Sequence, residues 1–169
     1  LYLPEHLADE AKERASGYAS WDLTPRQICD LDLLLNGAFS PLEGFLGEAD
    51  YERVCAEMRL QSNVLWPIPV TLDVSAAFAE KIATGDTIAL RDPEGVLIAT
   101  MAVSDLWTPD KPSEARRVFG TTDASHPGVD YLLHRAGPVY LGGRVHGIEP
   151  PTFYDFKLLR DTPSELRGR

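Results

Sequence analysis

Apolar residues recur at three- and four-residue spacing through the first third of the chain and then switch to alternation, so helices lead into a sheet. The stretch from about His6 to Arg14 is rich in Ala, Glu and Lys, ends near Ser16-Gly17, and reads as a surface helix or arm. The next helix starts at Thr24-Pro25-Arg26-Gln27, with a Thr N-cap, a proline in the first helical position and a Gln placed to complete a capping box. Ile28, Leu31, Leu34 and Leu35 then share one face. A further helix from about Asp50 to Arg59 aligns Tyr51, Val54, Cys55 and Met58.

From Val64 the period becomes two. Trp66, Ile68, Val70 and Leu72 alternate with Pro67, Pro69 and Thr71, which predicts a strand whose proline side lacks donors and must be an edge or a bulge. Ser75 caps a short helix through Ile82. Thr87–Arg91 and the apolar run from Val96 towards Trp107 flank Asp92-Pro93-Glu94-Gly95, whose Pro and Gly positions suit a type I turn, so the two form a hairpin. A helix from Pro112 to Phe119, a polar loop, a helical turn through Leu132 to Arg135 and a strand from Pro138 to Val145 follow. Glu149-Pro150-Pro151 ends regular structure, and 152–169 reads as a linker. The expected fold is a mixed α+β domain over 1–151, with a small, bulged, barrel-like sheet entered from an N-terminal helical layer.

Between the second and third helices lies Asn36-Gly37-Ala38-Phe39-Ser40-Pro41-Leu42-Glu43-Gly44-Phe45-Leu46. Two glycines, a proline and two aromatics so close together can neither continue a helix nor make a plain strand. Gly37 stands where a helix favours a left-handed C-terminal residue. As residue types, the stretch reads as a buried corner plugged by Phe39, Leu42 and Phe45, with an exposed interface motif as the alternative.

With 169 residues, the chain is long enough to bury a full core without disulfide or metal staples. Cys29 and Cys55 lie among apolar neighbours without metal or redox spacing and are expected as buried thiols in a reducing cytosol. No run of eighteen apolar residues and no basic-then-apolar leader occurs, which points to a cytoplasmic protein away from the membrane. Because residue 1 is Leu, a lost start segment is compatible with the sequence. A formal charge of −10 argues against nucleic acid and equally against a site for two anionic substrates in this chain.

Candidate chemistry is sparse. No phosphate-binding glycine loop of the G-x-x-x-x-G-K-[ST] type is present, and Gly142-Gly143 sits in a strand-like segment where glycine marks a bulge rather than a nucleotide loop. Of His6, His126, His134 and His146, ligand-like spacing appears only around Asp130, four residues from both His126 and His134; no metal site is expected. Trp21, Trp66 and Trp107 are expected in packing. The loop from Gly120 to Gly128 gathers Thr121, Thr122, Asp123, Ser125 and His126, which can cap the following helix or offer an anion site at its N-terminus.

The order of these pieces resembles the N-terminal domain of the ATP sulfurylase (sulfate adenylyltransferase) family. The resemblance rests on the segment from Asn36 to Leu46, the Trp66-Pro67-Ile68-Pro69-Val70-Thr71-Leu72 strand, and the loop pieces Val118-Phe119-Gly120-Thr121-Thr122-Asp123 and His126-Pro127-Gly128-Val129. Val139-Tyr140-Leu141-Gly142-Gly143 and Leu159–Arg167 extend it. It implies a PUA-like fold that precedes a catalytic domain absent from this chain, and makes Asn36, Gly37, Phe39, Ser40, Pro41, Leu42, Gly44 and Phe45 a structural family motif.

By the same resemblance, ATP and Mg act in the full-length enzyme and no cofactor belongs to this domain. The family's Gln-x-Arg-Asn and H-x-x-H motifs do not occur here, so no catalytic residue is assigned. The expected partners are the protein's own catalytic domain and further copies of itself. Fusion to an adenylylsulfate kinase stays open, since the start departs from relatives with His-Gly-Gly near Pro4-Glu5-His6. Thr121, Thr122, Asp123 and His126 are expected to face the catalytic domain. The rival reading is a stand-alone PUA-like interaction module, a fold that binds RNA in other settings, which the acidic charge opposes.

Overall fold

A computed structural model describes residues 1–153, 155–156 and 159–169. Among them the elements run α1 (Glu5–Ala15), β1 (Ala19–Asp22), α2 (Pro25–Leu35), β2 (Gly44–Phe45), α3 (Glu48–Glu57), β3 (Leu72–Val74), α4 (Ala76–Ala79), β4 (Thr87–Arg91), β5 (Leu97–Trp107), α5 (Lys111–Phe119), α6 (Pro127–His134), β6 (Val139–Gly147) and α7 (Pro163–Arg167). Strands pair in the order β1-β4-β5-β6-β2, with β3 also on β6. This is an open mixed α+β sheet, and its irregularity falls between Leu90 and Arg91.

The chain divides into two compact units, one of residues 1–44, 85–102 and 144–169, the other of 45–84 and 103–143. In the first, α2 begins as its sequence requires: the Thr24 side chain accepts from the Gln27 N–H, and the Gln27 side chain accepts from the Thr24 N–H at 3.0 Å. Gln27 is fully buried, and its oxygen also accepts from the Trp21 indole N–H at 3.1 Å. A single amide thus ends one helix's exposed donors and anchors an aromatic. Gly37, just past the Asn36 C-cap, takes φ 85°, the left-handed conformation that a side chain disfavours. Strand β1 pairs parallel to β4, and β4 pairs antiparallel to β5 through the turn closed by Gly95 N–H on Asp92 O at 3.0 Å. Ile88, Ala89, Leu90, Leu31 and Leu34 are fully buried here.

In the second unit β3 pairs antiparallel to β6, with Leu72 opposite Leu141. Gly142 is required by proximity: a Cβ there would lie 2.5 Å from the Gly47 Cα. This is a close backbone approach, where the sequence pointed to a bulge. Ser75 caps α4 by accepting from the Phe78 N–H at 3.2 Å.

Several expectations change. The strand read from Val64 exists only as Leu72–Val74, because Pro67 and Pro69 supply no N–H to a ladder, and Ile68 is 49% exposed. Phe45 is buried, whereas Phe39 and Leu42 are half-buried, so one ring is the plug. Cys55 is buried but Cys29 is exposed on α2, away from the Leu31–Leu34 face. Met58, read as part of the buried face of α3, caps that helix at φ 54° and is 55% exposed. The segment read as a linker contains α7, started by a second capping box of Thr162 and Glu165; Tyr154, Lys157 and Leu158 of that segment lie outside the described residues.

Candidate functional site

The most concentrated chemistry lies in the interior of the second unit and was not anticipated from sequence. Helix α5 starts at the Asp110 cap, whose side chain accepts from the Ser113 N–H at 3.0 Å, and its inward face carries Glu114 beside Ala115. Glu114 is only 7% exposed. Its Oε2 accepts from the Tyr51 hydroxyl at 3.0 Å and the Tyr140 hydroxyl at 3.1 Å. Two donors on one oxygen offset much of the cost of burying the carboxylate. The rings of Tyr51, Tyr140 and Trp107 pack with centroids 5.5 to 5.8 Å apart, two of the three pairs edge to face.

Burial, reinforced by the Glu114 carboxylate, pushes the Cys55 thiol up to about 12 and the Tyr51 hydroxyl well above the usual tyrosine range. Both groups are held protonated. Nearby, Asp73 is 4% exposed and accepts from the Gly137 N–H at 2.7 Å, while Lys111 donates to Ala136 O at 2.6 Å. Burial lowers the Lys111 pKa, opposed by Asp73 and Glu114. These groups tie α3, α5, β3 and β6 together. With thiol and hydroxyls protonated and enclosed, the cluster serves cohesion and offers no nucleophile.

The predicted polar loop is exposed and ordered by its own hydrogen bonds. The Asp123 N–H donates to Thr121 Oγ1 at 3.0 Å, and the Ser125 N–H donates to Asp123 Oδ1 at 2.9 Å. The contact with the Ser125 amide, followed by its hydroxyl, holds the Asp123 carboxyl below the usual range. His126 Nδ1 accepts from the Gly128 N–H at 3.2 Å, capping α6, and its ring lies 5.1 Å from Phe119. Thr122 is exposed. Thr121, Asp123 and His126 therefore form one capped turn. Asp130 instead engages His134 at 3.0 Å and Arg135 at 3.1 Å, and the His134 contact is the chief reason its carboxyl is held low.

The family-motif residues occupy a tight corner. Asn36 Oδ1 accepts from the Ala38 N–H at 2.9 Å, the Phe39 N–H donates to Leu33 O at 3.0 Å, and the Ser40 N–H donates to Gly37 O at 3.1 Å. Ser40-Pro41 is cis. Leu42 turns the chain into β2, where Gly44 and Phe45 are buried. Ser40 is exposed on this corner.

Among the described residues no group of three or more His, Cys, Asp or Glu side chains could hold a metal ion. A cavity of about 250 Å³ in the first unit is lined by Leu3, Leu7, Arg14, Tyr18, Thr100 and His146. Its arginine is already paired with Glu10 at 2.7 Å. A triphosphate calls for several convergent cations, and Arg14 is the one arginine or lysine lining this pocket.

Residues 1–150 match the PUA-like domain family. The chain is 47% identical over 160 residues to a sulfate adenylyltransferase of Eremothecium gossypii, covering 95% of this chain and 32% of that protein. It is 49% identical over 162 residues to one from Symbiobacterium thermophilum, covering 95% and 40%. It is 45% identical over 157 residues to that of Saccharomyces cerevisiae, covering 93% and 30%. The solved structure of a hexameric APS kinase from Thiobacillus denitrificans superposes with a TM-score of 0.76 at 30% identity, over 99% of this chain and 29% of that one. The chain spans about a third of the length of the relatives it matches.

Proposed function

The chain belongs to the PUA-like domain family, and from its likeness to sulfate adenylyltransferases we propose that it is the non-catalytic N-terminal domain of such an enzyme. The reaction proposed for the whole polypeptide joins a sulfate oxygen to the α-phosphorus of ATP, giving adenylyl sulfate and diphosphate. One observation carries the reading: nearly the whole chain aligns at 45–49% identity with about a third of enzymes that bear this name.

Physical chemistry supports placing the reaction elsewhere in the polypeptide. Bringing two anions together demands convergent positive charge, and this chain has a formal charge of −10. Four of its arginines are paired with its own carboxylates, Arg14 with Glu10, Arg53 with Glu57, Arg117 with Glu52 and Arg144 with Glu43. ATP and Mg are accordingly assigned to the remainder, in the cytoplasm, with residues 152–169 as the connection to it. The turn of Thr121, Thr122, Asp123 and His126 is assigned to the side facing that remainder. Self-association is part of the reading, supported by the hexameric solved relative.

The test is sulfate-dependent diphosphate release, measured for the full polypeptide that carries this chain and for residues 1–169 alone. The full polypeptide is expected to be active and residues 1–169 inactive. Activity in residues 1–169, or none in the full polypeptide, overturns the reading.

A further inference from the structure

Beyond α3 the chain makes an excursion that is closed on itself by hydrogen bonds and that leaves several large apolar side chains exposed. The Trp66 N–H donates to Met58 O at 2.8 Å and the Leu60 N–H donates to Val64 O at 2.9 Å. Arg53 reaches across to Leu60 O, Gln61 O and Asn63 Oδ1, each at 3.1 Å, and Arg59 donates to Asn63 O at 3.0 Å. Asp50 accepts from the Gln61 N–H at 2.6 Å. Two non-glycine residues hold left-handed backbone, Met58 at φ 54° and Asn63 at φ 68°, a conformation that persists where surroundings enforce it. The loop is therefore built to one shape.

What that shape presents is aliphatic. Met58 is 55% exposed, Val64 41%, Leu65 63% and Ile68 49%, four large apolar side chains within residues 58–68. Scattered exposed leucines need no explanation, but such a concentration on a fixed loop marks an interaction surface. Arg53 and Arg59 are engaged with carbonyls of the loop itself. The surface fits an apolar protein face and not an anion or a nucleic acid.

We propose that residues 58–68 dock against the portion of the polypeptide that lies outside this chain, an inference that rests on the function proposed above. The match to this chain covers 30–40% of these relatives, so most of each lies outside it. That portion is tethered, so it meets the loop at an effective concentration that a separate molecule rarely matches.

The experiment places the photo-crosslinking residue p-benzoylphenylalanine at Leu65 in the full polypeptide, produced as an equal mixture of ¹⁴N- and ¹⁵N-labelled protein. After irradiation, crosslinked peptides are sequenced by mass spectrometry. The expected product joins residue 65 to a peptide beyond position 169 with both peptides of one isotope. Mixed-isotope pairs place a second copy on the loop and overturn the proposal, as does the absence of any crosslink. In a companion variant, Leu65→Asp should raise the rate of proteolysis within residues 152–169 several-fold while Leu65→Met leaves it unchanged; equal rates in both contradict the docking. Diphosphate release by the unmodified polypeptide is measured alongside, so a failure of the functional reading shows there and a failure of the docking shows only in the crosslinks.

Discussion

At the scale of single residues, the difference between Phe45 and Phe39 shows what residue type can and cannot tell. Both rings sit in the same short motif, yet Phe45 is 3% exposed in β2 while Phe39 is half-buried on the preceding turn. Phe45→Ala should cost about 3 to 5 kcal/mol, as for a buried ring with a cavity left behind, and Phe39→Ala less than half of that. Urea unfolding of the two variants checks the order; equal losses would mean the corner is packed as one plug. The buried cluster around Glu114 predicts a pH effect. The Cys55 thiol is raised from 9.0 to about 12 by burial first and by Glu114 second, so the folded state holds its proton more tightly than the unfolded chain. That contribution is complete below pH 9 and is lost as pH climbs through the interval to about 12. Tyr51, raised in the same way, adds to the loss above its ordinary value of 10.0. Urea midpoints should fall steeply from pH 8 to pH 10.5, and less steeply in Cys55→Ala; an identical slope in the variant would place the thiol outside the linkage. Glu114 was illegible in the sequence because its partners stand 63 and 26 positions away and no spacing announces them.

At the scale of elements, local chemistry wrote the helix starts plainly. Thr24 and Gln27 form the capping box their spacing requires, and the turn of Asp92 and Gly95 closes the hairpin that the flanking apolar runs suggest. Alternation misled where proline intervened: the pattern of Trp66, Ile68 and Val70 looks like one face of a strand, but without N–H groups at Pro67 and Pro69 the ladder begins only at Leu72. The loop ahead of α6 was legible as polar and capped, and the structure resolves the choice of cap: His126 accepts the Gly128 amide. His126→Ala should therefore cost residues 1–169 about 0.5 to 1 kcal/mol, the ordinary loss of an exposed cap. If the loop also faces the rest of the polypeptide, the same substitution lowers turnover of the full enzyme by more than His126→Asn, which retains a capping side chain. Calorimetric melting and steady-state turnover on both variants read the two effects separately. Unchanged turnover in His126→Ala leaves the residue a cap alone.

At the scale of the whole molecule, the charge balance and the ordered succession of motifs said more than any one residue. The formal charge of −10 pointed away from anionic ligands, and the succession from Asn36-Gly37 to Gly142-Gly143 carried a resemblance whose PUA-like domain the match over residues 1–150 establishes. What the sequence left hidden was the outward turning of Met58, Val64, Leu65 and Ile68, since apolar spacing cannot say which side of a loop faces water. No helix among the described residues is long and apolar enough to cross a membrane. The central claim is that the nucleotide is bound outside this chain. Isothermal titration of ATP with Mg into residues 1–169 tests it most directly: heats no greater than dilution are predicted, and a saturable isotherm with micromolar affinity would contradict the account.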